Sequence, residues 1–359
     1  MQKKIGFLAC ATVMSANLAF AQSSHDEVSI PDADLNNNSS KFAISSPDGK
    51  FKLGFGGHLQ HDNRFSYINS TSNKDFDTYI KQARIKLYGN AFDPALSYFV
   101  QVQLEHEGKE GSNIPAPNTS YQAPGTSVLR DYYFNWAFNK EYFHLRVGKF
   151  RTPFSRQQLL STSQMQFNDQ NIASDRFQLT ESGHDVGLML HNGFHNELEW
   201  ALAAVSNGLV LRLGYNYGID AYDLVDFTGG GLRFAVAANG FIHTNYKSSE
   251  FNKDMRVAAD FIVKYEGLSA NGEFYFRRAG EKNELGGGLD AGYLIDRKIE
   301  PVVRYSMVKS GDPINSEIRG GINYYVFGHH LKAQAYVGPE LLDSKIQQWE
   351  GGLQLQFAL

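Results

Sequence analysis

The chain has a single cysteine, Cys10, inside an N-terminal apolar stretch. If that stretch is removed on export, no disulfide and no thiolate chemistry remains for the rest of the protein. Long hydrophobic runs are also missing. Beyond residue 21 no segment approaches the roughly 18 apolar residues that a spanning helix needs, which excludes a helical membrane protein. Charge of one sign is scarce, with 34 basic against 38 acidic side chains and a net charge of −4, so no basic excess recommends a nucleic-acid partner. The eleven histidines, among them His58, His61, His184, His191, His195 and the pair His329-His330, show no His-x-x-x-His spacing and have no cysteine partner, so neither a metal nor a cofactor is expected. Gly229-Gly230-Gly231 and Gly286-Gly287-Gly288 lack the strand-to-helix context of a phosphate-binding loop and fit strand starts or bends.

What is present begins with an export signal. Lys3 and Lys4 precede an apolar run from Ile5 to Phe20 that closes on Ala19-Phe20-Ala21, which predicts a signal peptide over 1–21 cut before Gln22. A lipoprotein signal at Leu8-Ala9-Cys10 is disfavoured because too few apolar residues precede Cys10. Residues 22–48 are polar, with Asp26, Glu27, Asp32, Asp34 and Asn36-Asn37-Asn38-Ser39-Ser40, and read as a periplasmic N-terminal segment. From 49 to 359 the pattern becomes one domain of short segments alternating with period two. Ala83, Ile85 and Leu87 oppose Arg84 and Lys86; Leu331, Ala333, Ala335 and Val337 oppose Lys332, Gln334 and Tyr336; Leu353, Leu355 and Phe357 oppose Gln354 and Gln356.

Each strand thus has one apolar face and one polar face, which fits either a soluble sandwich or a membrane barrel. Aromatics near segment ends, such as Trp136, Phe138, Phe143, Trp200, Tyr265, Tyr293, Tyr324 and Phe327, match the interfacial girdles of a barrel and decide for it. The expected fold is therefore all-β: a transmembrane antiparallel barrel of about sixteen strands. The count includes two short strands at 230–238 and 240–247 and none between 207 and 229. An even number returns both chain ends to the periplasm, with short turns such as Glu266-Gly267, Asp296-Arg297 and Gly328-His329 on that side and long loops outside. A barrel this wide holds an aqueous channel unless something narrows it.

The longest link in the first half, from Phe150 to about Gly183, is the candidate for an inward-folded constriction loop. Gly148-Lys149-Phe150-Arg151-Thr152-Pro153-Phe154-Ser155, followed by Gln157 and Leu159, resembles the Pro-Phe-Ser signature of the phosphate-selective porin O and P family, and Ala83 to Leu87 and Arg130 to Val147 resemble its early strands. The resemblance implies a homotrimeric porin in the outer membrane of a Gram-negative-type bacterium, surrounded by lipid and lipopolysaccharide, whose third loop folds into the lumen and whose basic residues draw in phosphate or other small anions. Lys149, Arg151 and Arg156 are then expected at the constriction, and Arg84, Lys86, Arg146 and Arg304 as lumen charges that guide the solute. The strand phases alone give only a small basic excess: Arg233, Lys264, Arg277, Arg319 and Lys332 also face inward, against Glu105, Asp131, Glu199, Asp260, Glu273, Asp290 and Glu350. These charges equally fit ion pairs that brace a wet wall.

The expected activity is passive diffusion of small hydrophilic solutes, with no enzyme chemistry. A sugar-specific channel stays open, to be marked by stacked lumen aromatics, and a structural barrel would show a plugged lumen. An outer-membrane hydrolase would need Ser182, His184 and Asp185 to converge.

Overall fold

In the computed structural model the described residues are 42–105, 129–139, 142–180, 183–206, 208–244 and 254–359. The signal segment with Cys10, the polar run Asn36 to Ser40, Lys140, Glu181 and Ser182 lie outside them, as does the side chain of Glu105.

A short strand β1 (Ala43–Ser45) precedes β2 (Lys52–Ile68), β3 (Asn73–Ala91), β4 (Asp93–Glu105), β5 (Leu129–Asn139) and β6 (Phe143–Arg151). After the long connection come β7 (His184–His191), β8 (Leu198–Val205), β9 (Gly208–Tyr217), β10 (Arg233–His243) and β11 (Asp254–Tyr265). The series ends with β12 (Leu268–Ala279), β13 (Lys282–Tyr293), β14 (Ile299–Ser310), β15 (Ile314–Phe327), β16 (Leu331–Leu342) and β17 (Lys345–Ala358). Every consecutive pair from β2 to β17 is antiparallel, and β17 pairs back onto β2, with Phe357 opposite Leu59 and Gln348 opposite Ile68. Sixteen strands therefore close into a barrel that has no free edge.

Closure works because the period-two pattern holds around the ring. On β9, Leu209, Leu211 and Leu213 are exposed, while Val210 and Arg212 between them are fully buried. The same alternation runs through Leu353, Gln354, Leu355 and Gln356 of β17. Apolar faces point outward and polar faces inward, the reverse of a soluble globule and the arrangement a bilayer demands. Aromatic side chains collect on the outer face at the end where the chain termini lie: Trp136 meets Phe138 at 5.8 Å, Phe138 stacks on Phe143 at 6.0 Å, and Phe143 meets Trp200 at 5.6 Å. Tyr265, Tyr293, Tyr324 and Phe327 continue this girdle.

Turns at the terminal end use left-handed backbone where the hairpins demand it. Glu266-Gly267 have φ of 45° and 90°, and Asp296-Arg297 have φ of 49° and 57°, the conformation whose twist matches a two-residue hairpin. β4 and β5, β6 and β7, and β10 and β11 have their joined ends at the opposite, extracellular end. Other connections there, such as Asp343-Ser344, are equally tight turns, so short and long links do not alternate strictly.

Three expectations need correction. The segments expected at 230–238 and 240–247 meet in one strand, β10 (Arg233–His243), because Gly240 sits in its ladder opposite Leu211 and Val257 instead of breaking it; residues 245–247 lie outside the described residues. The missing strand is β9, where an inward apolar residue, Val210, blurs the alternation. The sheet also begins earlier than residue 49, since β1 pairs with the first residues of β2, Ala43 opposite Gly54, where β17 has run out.

Candidate functional site

The lumen is crossed by the connection between β6 and β7. Its neck is closed by the backbone N–H and hydroxyl of Thr152, which donate to the Gly183 carbonyl at 2.9 and 3.1 Å. Just before the neck, Gly148 has φ +136°, and a Cβ there would lie 2.1 Å from the Tyr132 carbonyl, so β6 approaches β5 only because this residue has no side chain. The loop then turns inward through Pro153 and carries two short helices, α1 (Arg156–Leu159) and α2 (Ile172–Arg176).

The loop folds in because its composition suits a polar wall. Its apolar residues Phe154, Leu160, Met165, Ala173 and Phe177 are buried in one cluster and Phe167 in another with Val302 and Tyr336, while its amides reach the barrel. Gln157 donates its backbone N–H to Glu273 at 2.7 Å and its side-chain amide to Asn271 and Asp290 at 3.2 Å. Gln166 donates to Glu300 at 2.7 Å, and the Ile172 N–H donates to Glu317 at 2.9 Å. Asn171 caps α2 by accepting from Ser174 N–H at 2.8 Å and also accepts from the Ser306 hydroxyl at 3.2 Å. These partners lie on β12 to β15, and Asp62 on β2, Lys81 on β3, Lys332 and Gln334 on β16 and Gln356 on β17 also bond the loop, so it is tied across the lumen.

Glycine makes room for it. Gly286 and Gly288 point inward on β13; a Cβ at Gly286 would sit 2.5 Å from the Phe177 ring and one at Gly288 2.6 Å from the Asn171 amide. Phe177 in turn stacks on Tyr275 at 5.1 Å with rings 9° from parallel. Gly286-Gly287-Gly288 is thus neither a strand start nor a bend but a groove in the middle of β13 that receives the loop. The strand phase, which points 286 and 288 inward, is the signal that could have found it.

On β8 to β17 the guanidiniums meet carboxylates: Arg212 with Asp260 at 2.6 Å and with Glu199, Arg304 with Asp290 at 2.8 Å, and Arg319 with Glu317 at 2.9 Å. On β3 to β6, Arg84, Lys86 and Arg146 face inward among amides and rings. Arg84 donates Nε–H to Gln103 at 3.1 Å, and Lys86 lies in register with Gln101. Arg146 spreads its guanidinium 4.1 Å above the Tyr133 ring, and its Nε and Nη2 find no acceptor among the described residues. Asp131 on this wall is in contact with His184 at 3.2 Å.

Of the residues expected at the constriction, Lys149 is displaced. Its cross-strand neighbours Tyr132 and Val186 are both exposed on the outer face, and its ammonium donates to the Leu129 carbonyl at 3.2 Å, so it belongs to the outside of the barrel. Arg151 is buried, and it donates to the carbonyls of Gln158 and Leu160, bracing the loop from within. Arg156 is buried between Asp260, at 2.9 Å, and the Ala221 carbonyl, at 2.7 Å. Arg304 is neutralised by Asp290 and holds the loop through the Asp169 carbonyl at 3.0 Å. Arg176 pairs with Glu284. Arg84 and Lys86 face inward from β3, Arg146 faces inward from β6 in the row of Asn135, Ser97 and Asn90 nearer the periplasmic end, and Arg151, Arg156 and Arg304 hold the loop.

One feature has no counterpart in the sequence reading. The connection between β9 and β10, residues 218–232, leaves the periplasmic end yet folds inward, burying Ala221, Tyr222, Leu224 and Val225. Arg156 reaches it from the constriction loop.

Comparison with known proteins agrees with this architecture. Solved structures that align over the full barrel include OmpT, an outer membrane protein of Vibrio cholerae in a trimer form (TM-score 0.58, 11% identity, covering 89% of this chain and 100% of that one). They also include an anion-selective porin from Comamonas acidovorans (TM-score 0.57, 12% identity, 86% and 99%). A third is the outer membrane channel DcaP of Acinetobacter baumannii (TM-score 0.58, 10% identity, 89% and 100%). No curated protein matches. At these identities the likeness shows the fold, an outer-membrane porin barrel. The family described as phosphate-selective porin O and P matches residues 51–229, the span that carries the Gly148 to Ser155 segment and the inward loop. The chain is, over that span, a member of the phosphate-selective porin O and P family, and it resides in the outer membrane.

Proposed function

We propose that this porin is a passive, water-filled channel that favours small anions, phosphate-class oxyanions among them. The carrying observation is Arg146, whose guanidinium lies over the Tyr133 ring with Nε and Nη2 meeting no acceptor among the described residues, on an inward face that also carries Arg84 and Lys86. A buried guanidinium with open donors is the group a partly dehydrated oxyanion seeks, because it supplies charge and directed hydrogen bonds together. Anions drawn along this wall would cross beside the constriction loop without any chemical step. In the hydrolase alternative, His184 Nε2 meets Asp131 at 3.2 Å while Asp185 accepts from the Val186 N–H and the Ser206 hydroxyl, so that reading would need a serine on the remaining Nδ1. The outer apolar band would face lipid, its extracellular rim lipopolysaccharide, and three copies would form the working unit, in line with the family.

A sugar channel is the second reading, favoured by one observation. Tyr88, Phe99 and Tyr133 are in direct cross-strand register on the lumen face, and the rings of Phe99 and Tyr133 stack at 5.5 Å. Planar-bilayer recordings separate the two. Inhibition of chloride current by added inorganic phosphate, with a reversal potential on the anion side, supports the first; cation preference with block by a neutral oligosaccharide supports the second and removes the anion reading.

A further inference from the structure

The inward connection between β9 and β10 is built as a body between two flexible ends. Gly218 has φ +60° at one end, and Gly229 and Gly230 have φ +66° and +95° at the other. A Cβ on Gly229, Gly230 or Gly231 would meet nothing within 4 Å, so these glycines are not kept by crowding. What they supply is backbone freedom at the ends of a packed segment.

Between them, Ile219 to Thr228 packs Ala221, Tyr222 and Leu224 into the main buried cluster and Val225 against Leu294 and Tyr325, and it is latched to the barrel at named points. The Tyr222 hydroxyl donates to Glu199 at 2.6 Å, and Asp223 meets the His329 ring at 3.1 Å. Phe227 stands edge-on to Tyr325 at 5.0 Å and to His329 at 5.2 Å. The Ala221 carbonyl accepts from Arg156. Asp226, by contrast, is tied close to the second glycine end: it accepts from Gly229 N–H at 3.1 Å and Gly267 N–H at 2.8 Å and pairs with Arg233 at 2.7 Å. The anchor thus sits at the hinge and the latch at the far side of the segment.

Ala221, Leu224 and Val225 are at 2% exposure or less and the lumen residues Asn323 and Lys332 at 1%, so the segment packs against the wall and narrows this end of the barrel.

We propose that residues 219–228 form a periplasmic gate that swings on Gly218 and Gly229–Gly231, latched by Tyr222–Glu199 and Asp223–His329 and joined to the constriction loop through Arg156. The proposal rests on the channel reading above. Opening would free the Arg156 guanidinium from Ala221, so movement at the periplasmic end loosens the loop that narrows the lumen.

The test is reversible cross-linking in planar bilayers. Full-length protein carrying Asp223→Cys and His329→Cys is treated with a short bifunctional methanethiosulfonate and later with reductant, and wild type is treated alongside. Current that is lost on cross-linking and recovered on reduction is the expected result. Current unchanged by a cross-link verified on the protein overturns the gate and leaves the channel standing; a wild type that never conducts overturns both. Tyr222→Phe, which removes one hydroxyl and little else, gives a second reading without cross-linking. More frequent openings at unchanged conductance support the latch, and gating identical to wild type contradicts it.

Discussion

Gly288→Val places a β-branched residue where the constriction loop meets the wall. For the strand itself the change is favourable, since valine suits a pleated sheet and glycine weakens one. For the loop it is not. The new Cβ would stand 2.6 Å from Asn171 Nδ2 and 2.7 Å from its Cγ, so the Asn171 side chain must leave. It then gives up its bond from Ser174 N–H at 2.8 Å, its bond from Ser306 at 3.2 Å and its own donation to Gln157 at 2.9 Å. The lost cap costs about 1 kcal/mol and each further hydrogen bond about 0.5–1.5 kcal/mol, together about 2–4 kcal/mol against docking. A shift of that size multiplies the undocked fraction by about 30-fold to 1,000-fold, because about 1.4 kcal/mol is tenfold. The barrel should stay intact, judged by its heat-modifiable migration on gels, while single-channel conductance rises and a protease added from the extracellular side cuts between Arg151 and Gly183. Wild-type conductance with full protease resistance would refute the docking account.

Acid should favour the open periplasmic gate. Burial holds the His329 imidazole below its ordinary value, against the opposing pull of Asp223, and Lys332 and Lys264 nearby also disfavour its cation. Burial alone would raise the Asp223 carboxyl, but His329 and Lys264 overcome it and hold the group down to about 2. Both groups bind protons more tightly once released, so the latch is complete above the ordinary histidine value of about 6.5, weakens as pH falls below it, and weakens again below about 4. Open probability at a periplasmic pH of about 5 should exceed that at about 7, and His329→Gln should flatten the difference; a wild type that closes on acidification contradicts the assignment. Leu211→Arg, on the lipid-facing side, should destabilise the barrel by about 2–4 kcal/mol in vesicle unfolding titrations. Arg212→Ala, one residue on and facing inward, should cost about 3 kcal/mol by removing the guanidinium shared by two buried carboxylates, leaving Asp260 to Arg156 and Glu199 to the Tyr222 hydroxyl. If both substitutions prove neutral, the inside-out reading of β9 is wrong.

Much of the fold is legible in period-two alternation because a closed barrel asks every strand the same question. The pattern falters where lumen residues are themselves apolar. Val210 hides β9, and Gly240 divides β10 on paper though its backbone stays in the ladder. Lys149 illustrates a different failure. Counting by twos from inward Arg146 already puts residue 149 outward; reading it as a loop cation neglects that β6 continues to Arg151. Charge pairing is not legible at all. The inward Arg84 and Arg304 look alike in sequence, and only register brings Asp290 beside one and Gln103 beside the other. The inward fold of residues 218–232 depends on the far wall, through Glu199, Tyr325 and His329, and no local pattern announces partners roughly twenty to a hundred residues away.

The most direct test of the anion account is the reversal potential across a salt gradient for Arg84→Gln, Lys86→Gln and Arg146→Gln combined, set beside Arg319→Gln as a control from the ion-paired wall. The account predicts an anion-selective wild type whose preference falls or inverts in the triple variant and survives in the control. Selectivity unchanged by removal of all three charges would contradict it.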